Sequence, residues 1–269
     1  MSVSPPARSP SSLNSQFRRS SYLPPPATYR QDCMSAAAKR YKYLRRLFKF
    51  QQMDFESAAW QMLHLIVAPQ KVYRDFQYRK QNKAQFARDD PAFLVLLSLW
   101  LCISSVGFAI TLGLGVVSFL KLLLYVIFVD CISVGVVIAS LLWFVSNRYL
   151  LKPQARGHEM VEWGFTFDVH LNAFFPLLLI LHGLQLLIYY VLLDNDWFIS
   201  RLAGNSLWLI ALGYYVYVTF LGYKSLPILH GTQVLLYPLT ALLLVYIVTI
   251  VIGWNISRSF MDFYHYRVV

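Results

Sequence analysis

Charge is what this sequence has least of. Only 14% of its 269 residues are Asp, Glu, Lys or Arg, 57% are hydrophobic, and the mean hydropathy is +0.48. A chain this apolar is not an ordinary soluble domain. Acidic residues are the scarcest, 13 against 24 Lys and Arg. Cysteine is nearly missing: Cys33 stands ahead of the apolar segments and Cys102 and Cys131 fall inside them, so no disulfide framework is indicated. The first 35 residues hold no apolar run, which argues against a cleaved secretory signal and leaves the first span as the expected targeting signal. There is no glycine-rich phosphate loop, dinucleotide fingerprint, HExxH or Ser/His/Asp pattern, and Gly113 and Gly115 do not form GxxxG. Nothing in the chain specifies an enzyme or a cofactor.

Long apolar runs are abundant, and the first begins within Ala87 to Leu101, where a basic half meets the bilayer-like half. Asp90 is placed to accept from free N–H groups of a first helical turn, and Pro91 has the φ favoured there. Residues 91–111 carry no charge over 21 positions, about the ~20 that a ~30 Å hydrocarbon core needs. The expected fold class is therefore all-α: a polytopic membrane protein with five transmembrane helices and a cytoplasmic N-terminal platform of amphipathic helices. The spans are expected at about 91–111, 122–144, 173–193, 207–223 and 234–254. Residues 1–38, rich in Ser and Pro, read as a disordered tail, 39–90 as a basic cytoplasmic segment, and 255–269 as a short lumenal tail. Sixteen Lys and Arg lie in the first 90 residues against six Asp and Glu, leaving that segment at +10. The positive-inside rule then places the N-terminus in the cytosol and, after five crossings, the C-terminus in the lumen.

Within the basic segment, Tyr41, Leu44, Leu47 and Phe48 share one helical face while Lys42, Arg45, Arg46 and Lys49 share another. Such a helix suits an anionic leaflet, at ~1 kcal/mol per cation near the surface, or else presents a solvated face while packing on the protein's own helices. Asp54 is placed to cap a second helix reaching Pro69, about 14 residues long and too short to span. A third, 70–81, puts Val72, Tyr73 and Phe76 on one side and Lys71, Arg74 and Lys80 largely on the other. Aromatic and Arg side chains are enriched at binding hot spots, so Tyr73, Arg74 and Tyr78 are the partner-binding candidates, within a platform that also offers Tyr41, Tyr43 and Trp60. The same cations interleaved with aromatics could bind single-stranded RNA, although no RNA-recognition signature accompanies them.

Inside the apolar half, Asp130 is the costliest residue, since a carboxylate at a helix centre carries ~2.5 to 3.5 kcal/mol on insertion scales. His182 lies at a similar depth in the next span, and the two read either as a proton or ion site or as a structural interhelical hydrogen bond. His158, Glu159, Glu162, Asp168 and His170 crowd a loop expected over 147–170, but their order matches no compact zinc template.

Four long strings, RYKYLRRLFKFQQMDFESAAWQM (residues 40–62), YRKQNKAQFARDDPAFLVLLSLWLC (78–102), FDVHLNAFFPLLLILH (167–182) and GYYVYVTFLGY (213–223), closely resemble the Unc-fifty family. The likeness covers roughly Lys39 to Val269 and leaves the Pro/Ser-rich tail outside it. It implies a five-span, non-enzymatic protein of the Golgi membrane, with the ER and inner nuclear membrane as further places. It also implies recruitment of a large Arf guanine-nucleotide exchange factor, traffic of cargo such as nicotinic acetylcholine receptors, and RNA binding. The family has no catalytic motif, so no active-site residue carries over. Against this trafficking factor stands a small transporter, channel or lipid-moving protein using Asp130 and His182, which would usually show broken or repeated spans with more intramembrane polar groups.

Overall fold

Five helices long and apolar enough to cross a membrane run up and down through the computed structural model. The structure describes residues 45–47, 49–74, 87, 88, 90–155 and 159–269. The tail 1–38, Lys42, Tyr78, His158 and most of the expected third helix lie outside the described residues. Helix α1 is Phe55–Val67. The spans are α2 (Ala92–Thr111), α3 (Val116–Leu150), α4 (Trp163–Leu193), α5 (Phe198–Lys224) and α6 (Thr232–Val251), followed by α7 (Ile256–Val268). Among the described residues the sole extended pairing is one bridge, Leu151 to Leu229, which ties two connecting loops together. The bundle has a near end, where α2 starts and α5 stops, and a far end, where α2 stops and α7 starts.

The near end is built on Asp90. One carboxylate oxygen accepts from Ala92 N at 3.0 Å and opens α2, and the other accepts from Asp54 N at 2.8 Å. Asp54 in turn caps α1 by accepting from Ser57 N at 2.9 Å. One aspartate thus fixes the starts of two helices, where the sequence indicated one. The far-end turns rely on glycine: Gly113 (φ 62°) and Gly253 (φ 76°) take the left-handed conformation, letting Leu114 N reach Ala109 O and Trp254 N reach Thr249 O, both at 2.9 Å.

Several expected boundaries differ. Span two starts at Val116 rather than near 122, because Lys121, read as a loop charge, is spent on the Val268 carbonyl at 3.2 Å. Span three starts at Trp163, so Asp168 and His170 are helical and buried rather than in a loop, each with a polar partner inside the bundle. Span four starts at Phe198. Residues 256–268, expected to be a plain tail, form α7, which buries Ser257, Met261, Tyr264 and Val268 against the spans. α1, expected in the platform of amphipathic helices, packs on α2 and α4, where Ala58, Gln61 and Leu65 are buried.

Two spans contain wide, π-helical turns, at their ends over Ser146–Leu150 and Tyr189–Leu193 and within them over Tyr125–Ser133 and Leu179–Leu184. The two inner turns hold Asp130 and His182, and such turns often mark functional positions. The fifth span is the peripheral one: 6% of its apolar window is buried, against 28–39% for the other four, and α5 is its main neighbour.

Candidate functional site: polar centres at the two ends of the bundle

At the far end the costly acid is neutralised. Arg267, on α7, donates from Nη1 to Asp130 Oδ1 at 2.9 Å, and its guanidinium stacks 4.2 Å from the Tyr125 ring. Tyr264, one helical turn earlier, donates its hydroxyl to Asp130 Oδ2 at 3.0 Å, and the tyrosine oxygen lies 3.5 Å from His182 Nε2. His182 Nδ1 meets the Ser104 hydroxyl at 3.4 Å, and Phe108 packs edge-on against the imidazole at 4.8 Å. Asp130 and His182 therefore converge on one tyrosine from α7 and not on each other. Burial, then the neighbouring Asp130 carboxylate, raises the pKa of the Tyr264 hydroxyl well above its ordinary value, so it stays a donor.

The start of α7 is fixed as firmly. Asn255 caps the helix by accepting from Arg258 N at 3.1 Å and donates to Leu193 O at 3.0 Å. Asn205 on α5 accepts from Ile256 N at 3.0 Å and donates to Trp254 O at 2.9 Å. Sequence reasoning missed Tyr264 and Arg267, although Ser257, Met261, Tyr264 and Val268 follow a helical i, i+4, i+7, i+11 spacing that marks a packed face.

The near-end centre combines charged and neutral groups. The Arg88 backbone N–H donates to Asp168 Oδ2 at 2.6 Å, its guanidinium donates to Asn172 Oδ1 and lies 4.2 Å over the Phe93 ring. His170 Nδ1 pairs with the Tyr215 hydroxyl at 2.8 Å. Asn172 and Tyr223 are wholly buried here. Tyr73 belongs to this centre: it is 3% exposed, with its ring edge where a side chain on Gly222 would have to go, 3.2 Å from that position. Burial raises the pKa of its hydroxyl above the ordinary range. Tyr73 is thus core, and the expectation that it faces a partner is corrected by burial; its place beside Val72 on the apolar side of the helix was the signal.

Of the remaining sequence candidates, Arg45, Lys49 and Arg74 are exposed and Arg46 is half-buried. Lys71, on the same side as Arg74, is also exposed. Asp168 and His170 are engaged with Arg88 and Tyr215, and among the described residues no group of three or more His, Cys, Asp or Glu could hold a metal ion. As a chemical arrangement, the far-end centre is a neutralised acid joined to a hydroxyl and an imidazole, which binds α7 to α2, α3 and α4.

The sequence model described as the UNC-50 family matches residues 43–265. The protein unc-50 homolog of Drosophila melanogaster is 56% identical over 262 residues, covering 96% of this chain and 93% of its own length, which carries the likeness into the residues before Lys39. The rat and human unc-50 homologs are 59% and 58% identical over 234 residues, each covering 87% of this chain and 90% of the relative. No solved structure matches.

Proposed function

The chain belongs to the UNC-50 family, and from that premise we propose that it is a non-enzymatic trafficking factor of the Golgi and neighbouring endomembranes. On this reading its near end faces the cytosol and recruits an Arf guanine-nucleotide exchange factor, while the bundle supports transport of membrane cargo such as receptor subunits. Support comes from the family and from the distribution of charge: the first 90 residues carry +10, and Arg45, Lys49, Lys71 and Arg74 are exposed at the near end. Lys42, Arg45, Arg46 and Lys49 serve the anionic leaflet, and Arg74, with Tyr78, serves the protein partner. RNA binding, if it accompanies these roles, draws on the same cations and falls with salt.

The test uses the full chain in lipid nanodiscs and a purified exchange factor. Replacing Lys71 and Arg74 with Gln is expected to weaken capture about tenfold, equivalent to ~1.4 kcal/mol. Lys49→Gln should leave capture unchanged and reduce salt-sensitive liposome contact. Equal capture by the Lys71/Arg74 double variant and the parent removes this surface from the proposal. A glycosylation tag after Val269 should be modified and one before Met1 should not; the reverse pattern would refute the orientation.

A further inference from the structure

α1 is too short to cross a bilayer, yet its contacts follow the depth of the bundle. Its first turn is tied to Asp90, at the mouth of α2. Its last carbonyls, Leu65 O and Ile66 O, accept from the Tyr214 hydroxyl at 2.8 and 3.1 Å. Tyr214 sits ten residues before the end of α5 at Lys224, about 15 Å along the span at 1.5 Å per residue. After Ala68 the chain is helical again over 69–74 and climbs: Gln70 donates to the Tyr217 hydroxyl, and Tyr73 reaches Gly222, two residues from the end of α5. The path goes down, turns at Pro69 and returns to the same end.

From this we infer that residues 55–74 form a re-entrant hairpin in the near leaflet, with the lipid acyl chains as the occupant of the outer face of its first arm, α1. Two independent observations agree. The outer face of α1 presents Trp60, Leu63, Ile66 and Val67, with Leu63 59% and Val67 75% exposed, as exposed as Leu99 and Ile103 on α2 and Ile210 on α5. Three of the last four carbonyls of the helix, moreover, have protein donors. A helix stopping in water can leave its last carbonyls to the solvent, whereas one stopping in lipid needs protein donors. Here His64 O accepts from Ala68 N, Leu65 O and Ile66 O from Tyr214, and Ala68 O from Lys71 N. Trp60, higher on the same face, takes the aromatic position of the water boundary.

The inference concerns a different face from the exposed cations, so its failure leaves the exchange-factor reading standing. It is tested with the full chain in vesicles, Cys33→Ser, Cys102→Ala and Cys131→Ala throughout, and single cysteines introduced as Leu63→Cys, Val67→Cys, Lys49→Cys and Ile103→Cys. A membrane-impermeant maleimide reacts with thiolate, which hydrocarbon suppresses, so positions 63 and 67 should label at least about tenfold more slowly than 49 and resemble 103. A fluorophore on 63 or 67, attached before reconstitution, should be quenched more by a nitroxide on the lipid acyl chain than by one on the headgroup. Labelling of 63 and 67 as fast as of 49 overturns the inference. So does slow labelling without quenching by lipid nitroxides, which would mean that protein covers the face. The native chain's Tyr214→Phe variant gives a second reading without new cysteines on α1: proteolysis between 55 and 74, absent in the parent, should appear.

Discussion

Each end of this bundle is held by a helix that does not cross the membrane, but the two ends are held by different chemistry. At the far end α7 is anchored by an ion pair, Arg267 to Asp130, with 14% and 26% of the side chains exposed, and by Tyr264 on the same carboxylate. At the near end the 55–74 hairpin is tied to the Asp90 carboxylate through a backbone N–H and is otherwise anchored by neutral groups: the Tyr214 hydroxyl on backbone carbonyls, Gln70 on Tyr217, and Tyr73 packed against Gly222. Half of an ion pair is worse than none, because the surviving charge remains desolvated, whereas a neutral network loses one bond at a time. The far end should therefore fail abruptly and the near end by degrees.

The largest effect is expected from Arg267→Ala, which strands Asp130; about 3 kcal/mol, discounted for partial exposure, should be lost in unfolding from detergent micelles. Arg267→Leu combined with Asp130→Leu should recover most of that loss, and a double variant no more stable than Arg267→Ala alone would erase the contrast between the ends. Next comes Tyr214→Phe, which withdraws one hydroxyl from two carbonyls at a cost of about 1–2 kcal/mol. Should it prove as damaging as Arg267→Ala, the near end is no gentler than the far. The smallest effect sharpens the far-end account: Arg258 pairs with Asp196 at 2.5 Å, but the pair is open to solvent, and Arg258→Ala should leave the midpoint of unfolding where it is. A visible shift would mean that α7 is held by its first turn as much as by its last.

Five spans were legible because a span is a composition: twenty residues without charge need no partner to be recognised. Asp130 and His182 stood out for the same reason inverted, as polar groups where few are tolerated. What was not legible depends on who meets whom. Asp168 and His170 lower local hydropathy like loop residues, and only Arg88, 80 positions away, and Tyr215, 45 away, make them helical and buried. Tyr264 and Arg267 lie in 13 residues whose charge and brevity hide a packed face. Tyr73 shows the opposite error, since residue type suggested a binding hot spot while periodicity already put it beside Val72, on the side that the bundle buries.

The isolation of the fifth span sets an order of events in biogenesis. α6 leans mainly on α5, held there by Asn205 to Thr249 and Ser206 to Tyr246, and contributes little to the interior. A chain made from its N-terminus could assemble α2 to α5 while α6 is still leaving the ribosome. Arg267, sixteen residues beyond α6, can reach Asp130 only once α6 has crossed. Until then Asp130 lacks its Arg267 partner in a nearly finished bundle, and the pairing cannot precede that crossing. A nascent chain stalled after Val251 would carry that acid without Arg267, the kind of mark by which a quality-control system distinguishes an incomplete membrane protein from a complete one.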